Sequence, residues 1–151
     1  MFRKLKKQSE EVAEDSKCQY HFKIRFVGRR DSGTKTSFIQ SYTGSSGSPS
    51  YRKVSLRGKK ILLELCDGTR DDLKTVDAVV TGYDITDRSS YNKVLRDYRS
   101  YPGTDLHVPR MVIGNKLDLY DCRDVSRLDG LVLADMLETP LFYEGNLNNL
   151  T

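Results

Sequence analysis

Met111-Val112-Ile113-Gly114-Asn115-Lys116-Leu117-Asp118 decides how this chain of 151 residues is read. Its first three residues are a short apolar run of the kind that fills a buried strand, and Gly114 lets the chain turn at its end. The polar side chains of Asn115, Lys116 and Asp118 therefore stand where a strand ends, and in open α/β sheets that is where ligands sit. A carboxylate such as Asp118 accepts two parallel N–H bonds from guanine, N1–H and the 2-amino group, whereas adenine presents an acceptor at N1 and leaves the carboxylate unpaired. Sites built on such bonds discriminate by factors of about 10⁴ to 10⁵. Asn115 can bridge the base's other edge and neighbouring loops, and the Lys116 stem can pack on the ring face.

Outward from this octapeptide the chain alternates strand and helix patterns. Ala78-Val79-Val80 begins a strand ending near Tyr83-Asp84. Asp87 or Ser89 can cap the helix that follows, Tyr91, Val94, Leu95 and Tyr98 fall on one helical face, and Pro102 stops it. Ser126 can cap a helix carrying Leu131, Ala134 and Leu137, and Leu141-Phe142-Tyr143 is the last strand candidate. Toward the amino end, Ile61 to Cys66 reads as a strand ending at Asp67. Tyr20, Phe22, Ile24 and Phe26 alternate with polar residues, and Gly28 opens a loop ahead of Ser37-Phe38-Ile39. Gly44 to Ser50 is a flexible loop by composition. Strands separated by helices make an α/β domain with a mostly parallel sheet.

Composition bounds the rest. A length of 151 residues suits one domain, with a core large enough to need no disulfide or metal staple. Residues 1–18 form a charged extension, with Arg3, Lys4, Lys6 and Lys7 followed by Glu10, Glu11, Glu14 and Asp15, and residues 19–151 form the domain. The extension reads as a solvated tail or fraying helix, with a basic arm for acidic lipid or a protein partner as the alternative. A net charge of +4 does not argue for nucleic acid. The cysteines, Cys18, Cys66 and Cys122, show no CxxC spacing, which suggests a reducing, cytoplasmic setting and gives no support to zinc. No apolar run approaches the ~20 residues that span a bilayer. Neither a myristoylation glycine nor a prenylation cysteine is present, so membrane association is expected only peripherally, through the basic amino-terminal stretch.

The order of these signals closely resembles the small GTPases of the Ras superfamily, the Rab branch most. The residues that carry the likeness are Asp31-Ser32-Gly33-Thr34-Lys35-Thr36, Gly58 to Asp67, Tyr83 to Asp87, Val112 to Leu119 and Arg123 to Ser126. The resemblance covers about residues 20–151. It implies a three-layer P-loop fold, GTP/GDP and Mg²⁺ as ligands, protein effectors as partners, and a role in vesicle traffic or signalling. Carried over residue by residue, it assigns Gly28, Asp31, Ser32, Gly33, Thr34, Lys35, Thr36 and Ser37 to the phosphates, and Asn115, Lys116, Asp118, Asn146 and Leu147 to the base. Thr36 and Asp67 are assigned to Mg²⁺.

The departures from that pattern fall on its working parts. Gly28 and Gly33 have GxxxxGK[ST] spacing, but Thr34 stands where lysine is expected and Lys35-Thr36 follow one position late. Arg29 and Arg30 are additional, and read either as phosphate contacts or as solvated loop residues. The effector loop between Thr43 and Lys59 offers no closing threonine and only a short second strand, so the fold is expected to be shortened in its switch regions. DxxG reads Asp67-Gly68-Thr69-Arg70, and Asp71 replaces the catalytic glutamine. A carboxylate only accepts hydrogen bonds at neutral pH, so it cannot orient a water as glutamine does. No catalytic residue is assigned. Intrinsic hydrolysis by such folds is already only about 10⁻⁴ s⁻¹, which leaves weak or no turnover as the expectation. Asn146 retains the backbone N–H of the last base loop, while Leu147 cannot supply the family's lysine. The sequence ends before the family's final helix and lipidated tail.

The alternative is a nucleotide-independent scaffold using the same fold for protein contacts. Arg25 adds a question of its own, because a central parallel strand is buried on both faces and an unpaired charge there costs several kcal/mol. Either that face is wet or Arg25 has a carboxylate partner.

Overall fold

The computed structural model describes residues 17–29, 34–44, 49–67, 76–100 and 108–147, and of residues 34–37 and 98–100 the backbone alone. In chain order the elements are β1 (Tyr20–Val27), α1 (Thr34–Thr43), β2 (Ser50–Leu56), β3 (Lys59–Cys66), β4 (Ala78–Asp84), α2 (Arg88–Ser100), β5 (Arg110–Asn115), the 3-10 segment Leu117–Cys122, α3 (Arg127–Met136) and β6 (Phe142–Gly145).

The strands form one six-stranded sheet of order β2-β3-β1-β4-β5-β6. Every neighbouring pair is parallel except β2 with β3. β2 and β3 need no crossover, because Arg57 (φ 50°) and Gly58 (φ 76°) make a two-residue turn whose twist matches a hairpin. The strand that the sequence left short is whole: β2 pairs with β3 along its full length, from Ser50 opposite Leu65 to Leu56 opposite Lys59. Backbone pairing to a strong neighbour overrides the polar composition of Arg52 to Arg57.

Alternation along β1 and its neighbours sorts side chains to two faces. On one face Phe26, Leu65, Val80 and Ile113 pack with Ile39 of α1. On the other, Tyr83 and Val112 pack with Tyr91 and Val94 of α2 and with Leu133, Ala134 and Leu137 of α3. The result is helix, sheet, helix: three layers built from one alternating pattern. Each such fully buried aliphatic or aromatic side chain contributes about 1.5–3 kcal/mol.

Asp87 is the cap of α2, accepting from the Ser89 N–H at 2.9 Å. Ser126 caps α3 in a reciprocal box with Asp129, in which each side chain accepts from the other's backbone N–H at 3.0 Å. Burial and these bonds act in opposite senses on the Asp129 carboxyl, and the bonds from Ser126 and Arg88 win, holding it below the usual value. The inner face of α3 differs from the expected one. Leu131 is exposed, and Leu133 is fully buried in its place together with Gly130 and Ala134. Arg25 is buried on β1, in register between Cys66 and Val79. At 3% exposure its face is not wet, and the residue as a whole is not without an interaction there.

Candidate functional site

Because β1, β3, β4, β5 and β6 run in one direction, their carboxyl ends lie along one edge of the sheet. That edge gathers Gly28, Asp67, Asp84, Asn115 to Asp118, and Asn146-Leu147, residues up to 119 positions apart in sequence (147 − 28). Gly28 is there for a steric reason. A Cβ at this position would stand 2.5 Å from the Gly82 carbonyl oxygen, so β1 can leave the sheet beside β4 only without a side chain.

Asn115 ends β5 and is completely buried. Its Oδ1 accepts from the Leu147 backbone N–H at 2.9 Å. Its Nδ2 has no hydrogen-bond partner among the described residues. A buried amide N–H left unsatisfied costs about 1–3 kcal/mol, and this one belongs to a residue that the family resemblance assigns to a base.

Lys116 takes the left-handed conformation, φ 69° and ψ 38°, which turns the chain abruptly out of β5 into the 3-10 segment that begins with Leu117 and Asp118. Its Nζ lies 2.6 Å from Asp84 Oδ2. Asp84 ends β4 directly opposite Asn115 in the parallel register, and its side chain is nearly buried. Its Oδ1 accepts from the Thr86 N–H at 2.8 Å and the Thr86 hydroxyl at 2.6 Å. Asp84 is the residue sequence reasoning missed. Tyr83-Asp84-Ile85-Thr86-Asp87 was visible, but only strand register shows that its first acid faces the lysine. Asp118 itself is exposed and Asp67 half-buried at the end of β3.

A second ion pair braces the last loop. Arg123 donates to both carboxylate oxygens of Glu144, at 2.8 and 3.0 Å, and to the Val125 carbonyl at 3.0 Å. The hydrogen bonds that Arg123 donates to Glu144 raise its pKa further above its already high value, against the effect of burial. Glu144 immediately precedes Gly145-Asn146-Leu147, so the pair fixes the approach to the Leu147 N–H. Beside it the buried Tyr83 hydroxyl is pushed well above the usual phenol range, first by burial and then by the Glu144 carboxylate.

Other sequence assignments find different places. The Leu147 side chain is 1% exposed inside the cluster of Phe26, Ile39 and Ile113, so it serves the core and its contribution at the site edge is its backbone. Arg29 reaches Asp87 Oδ2 at 3.3 Å and also the Ser89 hydroxyl. It therefore ties the loop after β1 to the start of α2. Asp31, Ser32 and Gly33, as well as Arg30 and Gly68 to Asp71, lie outside the described residues. Thr34, Lys35, Thr36 and Ser37 form the first turn of α1, whose amino end follows β1, and their side chains lie outside the description. Asn146 is half-buried between β6 and the Leu147 contact.

A mostly parallel α/β sheet with a buried asparagine, a turned lysine and an exposed aspartate at its ligand edge defines a class of nucleotide-site folds. Comparison with known sequences places the chain within that class. It belongs to the Ras family, whose sequence model matches residues 23–146. It is 32% identical over 138 residues to Ras-like protein 1 of Saccharomyces cerevisiae, covering 79% of this chain and 45% of that protein. It is 29% identical over 135 residues to Ras-like protein family member 11A-like of Danio rerio, covering 76% of this chain and 50% of that one. With human Ras-related protein Rab-3A it shares 28% identity over 159 residues, 90% of this chain and 70% of the relative. The chain thus spans about half the length of the first two relatives.

Proposed function

We propose that this protein is a Rab-like guanine-nucleotide-binding protein with little or no GTP hydrolysis. The observation that carries this reading is the buried Asn115 Nδ2, a donor with no partner among the described residues, next to Lys116 and Asp118. The residues present fit a guanine base. Asn115 supplies a preoriented donor, the exposed Asp118 is an acceptor for the paired N–H groups, and the Lys116 stem, anchored through Nζ on Asp84, offers an apolar surface to the ring. The 3-10 turn and the Leu147 tie hold these groups before any ligand arrives, which lowers the ordering cost of binding.

On the phosphate side the reading is supported by the amino end of α1, whose free N–H groups and dipole favour an anion. Gly33 to Ser37 would hold the phosphates, and Thr36 with Asp67 would hold Mg²⁺. When bound, the cation neutralises phosphate charge. Asp71 in place of a water-orienting glutamine and Arg70 in place of a glycine argue for slow or absent cleavage. A part in vesicle traffic or signalling, at membranes or with effectors, is what Rab kinship implies.

Titration with a fluorescent GDP analogue, competed by unlabelled GDP or ADP, tests the reading. Saturation reversed by GDP and not by ADP is expected. Equal competition by ADP, or no saturation, leaves the nucleotide-independent scaffold as the function of the fold. Single-turnover GTP cleavage no faster than the protein-free control is expected for the hydrolysis half of the proposal.

A further inference from the structure

Far from the nucleotide edge, the hairpin of β2 and β3 presents a different surface. Its tip leaves Leu56 61% exposed, and on the neighbouring strand Tyr20 and Phe22 are 43% and 40% exposed. The register places all three on one face. Tyr20 stands opposite Ile61, Leu56 opposite Lys59, and residues two apart share a face. Tyr20 and Phe22 stack with ring centroids 6.3 Å apart, and the Lys59 ammonium sits 5.3 Å above the Tyr20 ring. This is an apolar surface with a cation beside it.

Charge here is one-sided. Residues 50–63 contain Arg52, Lys53, Arg57, Lys59 and Lys60 and no carboxylate. Arg57, Lys59 and Lys60 are all exposed around the turn. The exposed Leu56 side chain thus stands among cations, beside the exposed rings of Tyr20 and Phe22 on the same face. The combination suits a partner that is anionic at its surface and apolar beneath. A bilayer containing anionic lipid has that profile, whereas an acidic protein surface would match the cations alone. No helix among the described residues is long and apolar enough to cross a membrane, so the contact is peripheral.

We propose that the β2–β3 hairpin docks on anionic membrane surfaces, with Leu56, Tyr20 and Phe22 entering the interface and Arg57 and Lys59 meeting lipid headgroups. The proposal uses residues other than those of the amino-terminal basic stretch and does not depend on nucleotide. Each cation held near such a surface contributes about fivefold in affinity, and one buried leucine about tenfold. Both effects are measurable by sedimentation.

The test is co-sedimentation of the full chain with phosphatidylcholine vesicles, with and without about one-third phosphatidylserine, at about 0.05 M and about 0.5 M salt. Binding only to the anionic vesicles and release by salt are expected. Arg57→Glu with Lys59→Glu is expected to weaken binding at least about twentyfold, and Leu56→Ser about tenfold. Both changes fall on exposed side chains, and unaltered melting temperatures establish that the variants fold. A third variant with Lys4, Lys6 and Lys7 changed to Gln separates the two basic regions. Equal binding to neutral vesicles, no binding at all, or loss of binding in the third variant while the hairpin variants still bind would each overturn the proposal.

Discussion

The side chain of Asn115, at the end of β5, accepts the backbone N–H of Leu147, just beyond β6, at 2.9 Å. One buried oxygen thus joins two loops 32 residues apart. The nitrogen of the same amide has no protein partner among the described residues. Structure and function meet in one side chain, and its two ends can be tested separately.

Replacing Asn115 by Ala leaves the Leu147 N–H buried and unsatisfied. The substitution also removes the orphaned Nδ2, so a net loss of about 1 kcal/mol is expected, measured as a lower denaturant midpoint with an unchanged m-value. A midpoint equal to that of the parent protein would show that the bond does not hold the loops.

The pair of Asp84 and Lys116 predicts an asymmetry. The Asp84 side chain is 5% exposed and that of Lys116 is 32% exposed. Changing Lys116 to Met strands a buried carboxylate, whereas changing Asp84 to Asn leaves an ammonium that can reach water and keeps the acceptor for Thr86. The first substitution should cost about 3 kcal/mol and the second about 1 kcal/mol. Urea unfolding of both variants checks this, and the reverse order would contradict it.

Tyr83 predicts a gain. Its hydroxyl is buried without a hydrogen-bond partner among the described residues, so Tyr83→Phe should stabilise the protein by about 1 kcal/mol at neutral pH. The pH dependence has a definite sign. The folded-state pKa is raised, first by burial, so the unfolded chain ionises before the folded one does. The parent protein therefore keeps its full stability from this group below the free tyrosine value of about 10 and loses stability as pH rises above it, a loss that Tyr83→Phe escapes. Melting curves from neutral to strongly alkaline pH should fall more steeply for the parent protein than for Tyr83→Phe. Parallel slopes would refute the assignment.

The Arg123 and Glu144 pair predicts coupling to the last loop. The Glu144 side chain is 4% exposed, and Arg127 approaches it only to 3.7 Å. Arg123→Ala should cost about 3 kcal/mol, and amide exchange at Leu147 should accelerate as the approach to the loop loosens. Destabilisation with Leu147 protection unchanged would separate the pair from the site.

Much of this architecture was legible in the chain. Alternation in Tyr20 to Phe26, the apolar run before Gly114 and the Ser126 cap all report local physics that the tertiary structure agrees with. What escaped was what depends on register. The pairing of Asp84 with Lys116 follows from two strands lying side by side, and the completeness of β2 follows from its partner, since its own polar residues argue weakly for a strand. Leu131 and Leu133 differ by two positions, about 200° around a helix, and only the direction from which the sheet approaches decides which is buried. By sequence Leu147 is a poor substitute for a ligand residue, and nothing local shows that its side chain has a core to fill. The sequence leaves Arg29 between phosphate and solvent, because its partner, Asp87, lies on another loop.

The central claim is that this edge reads guanine. Isothermal titration of nucleotide-free protein with GDP and with ADP in the presence of magnesium, repeated for Asp118→Ala, tests it most directly. The account predicts saturable binding of GDP, none of ADP, and at least a hundredfold loss of GDP affinity in the variant, about 3 kcal/mol for two charge-assisted hydrogen bonds. GDP affinity unchanged by the loss of Asp118, or matched by ADP, would contradict it.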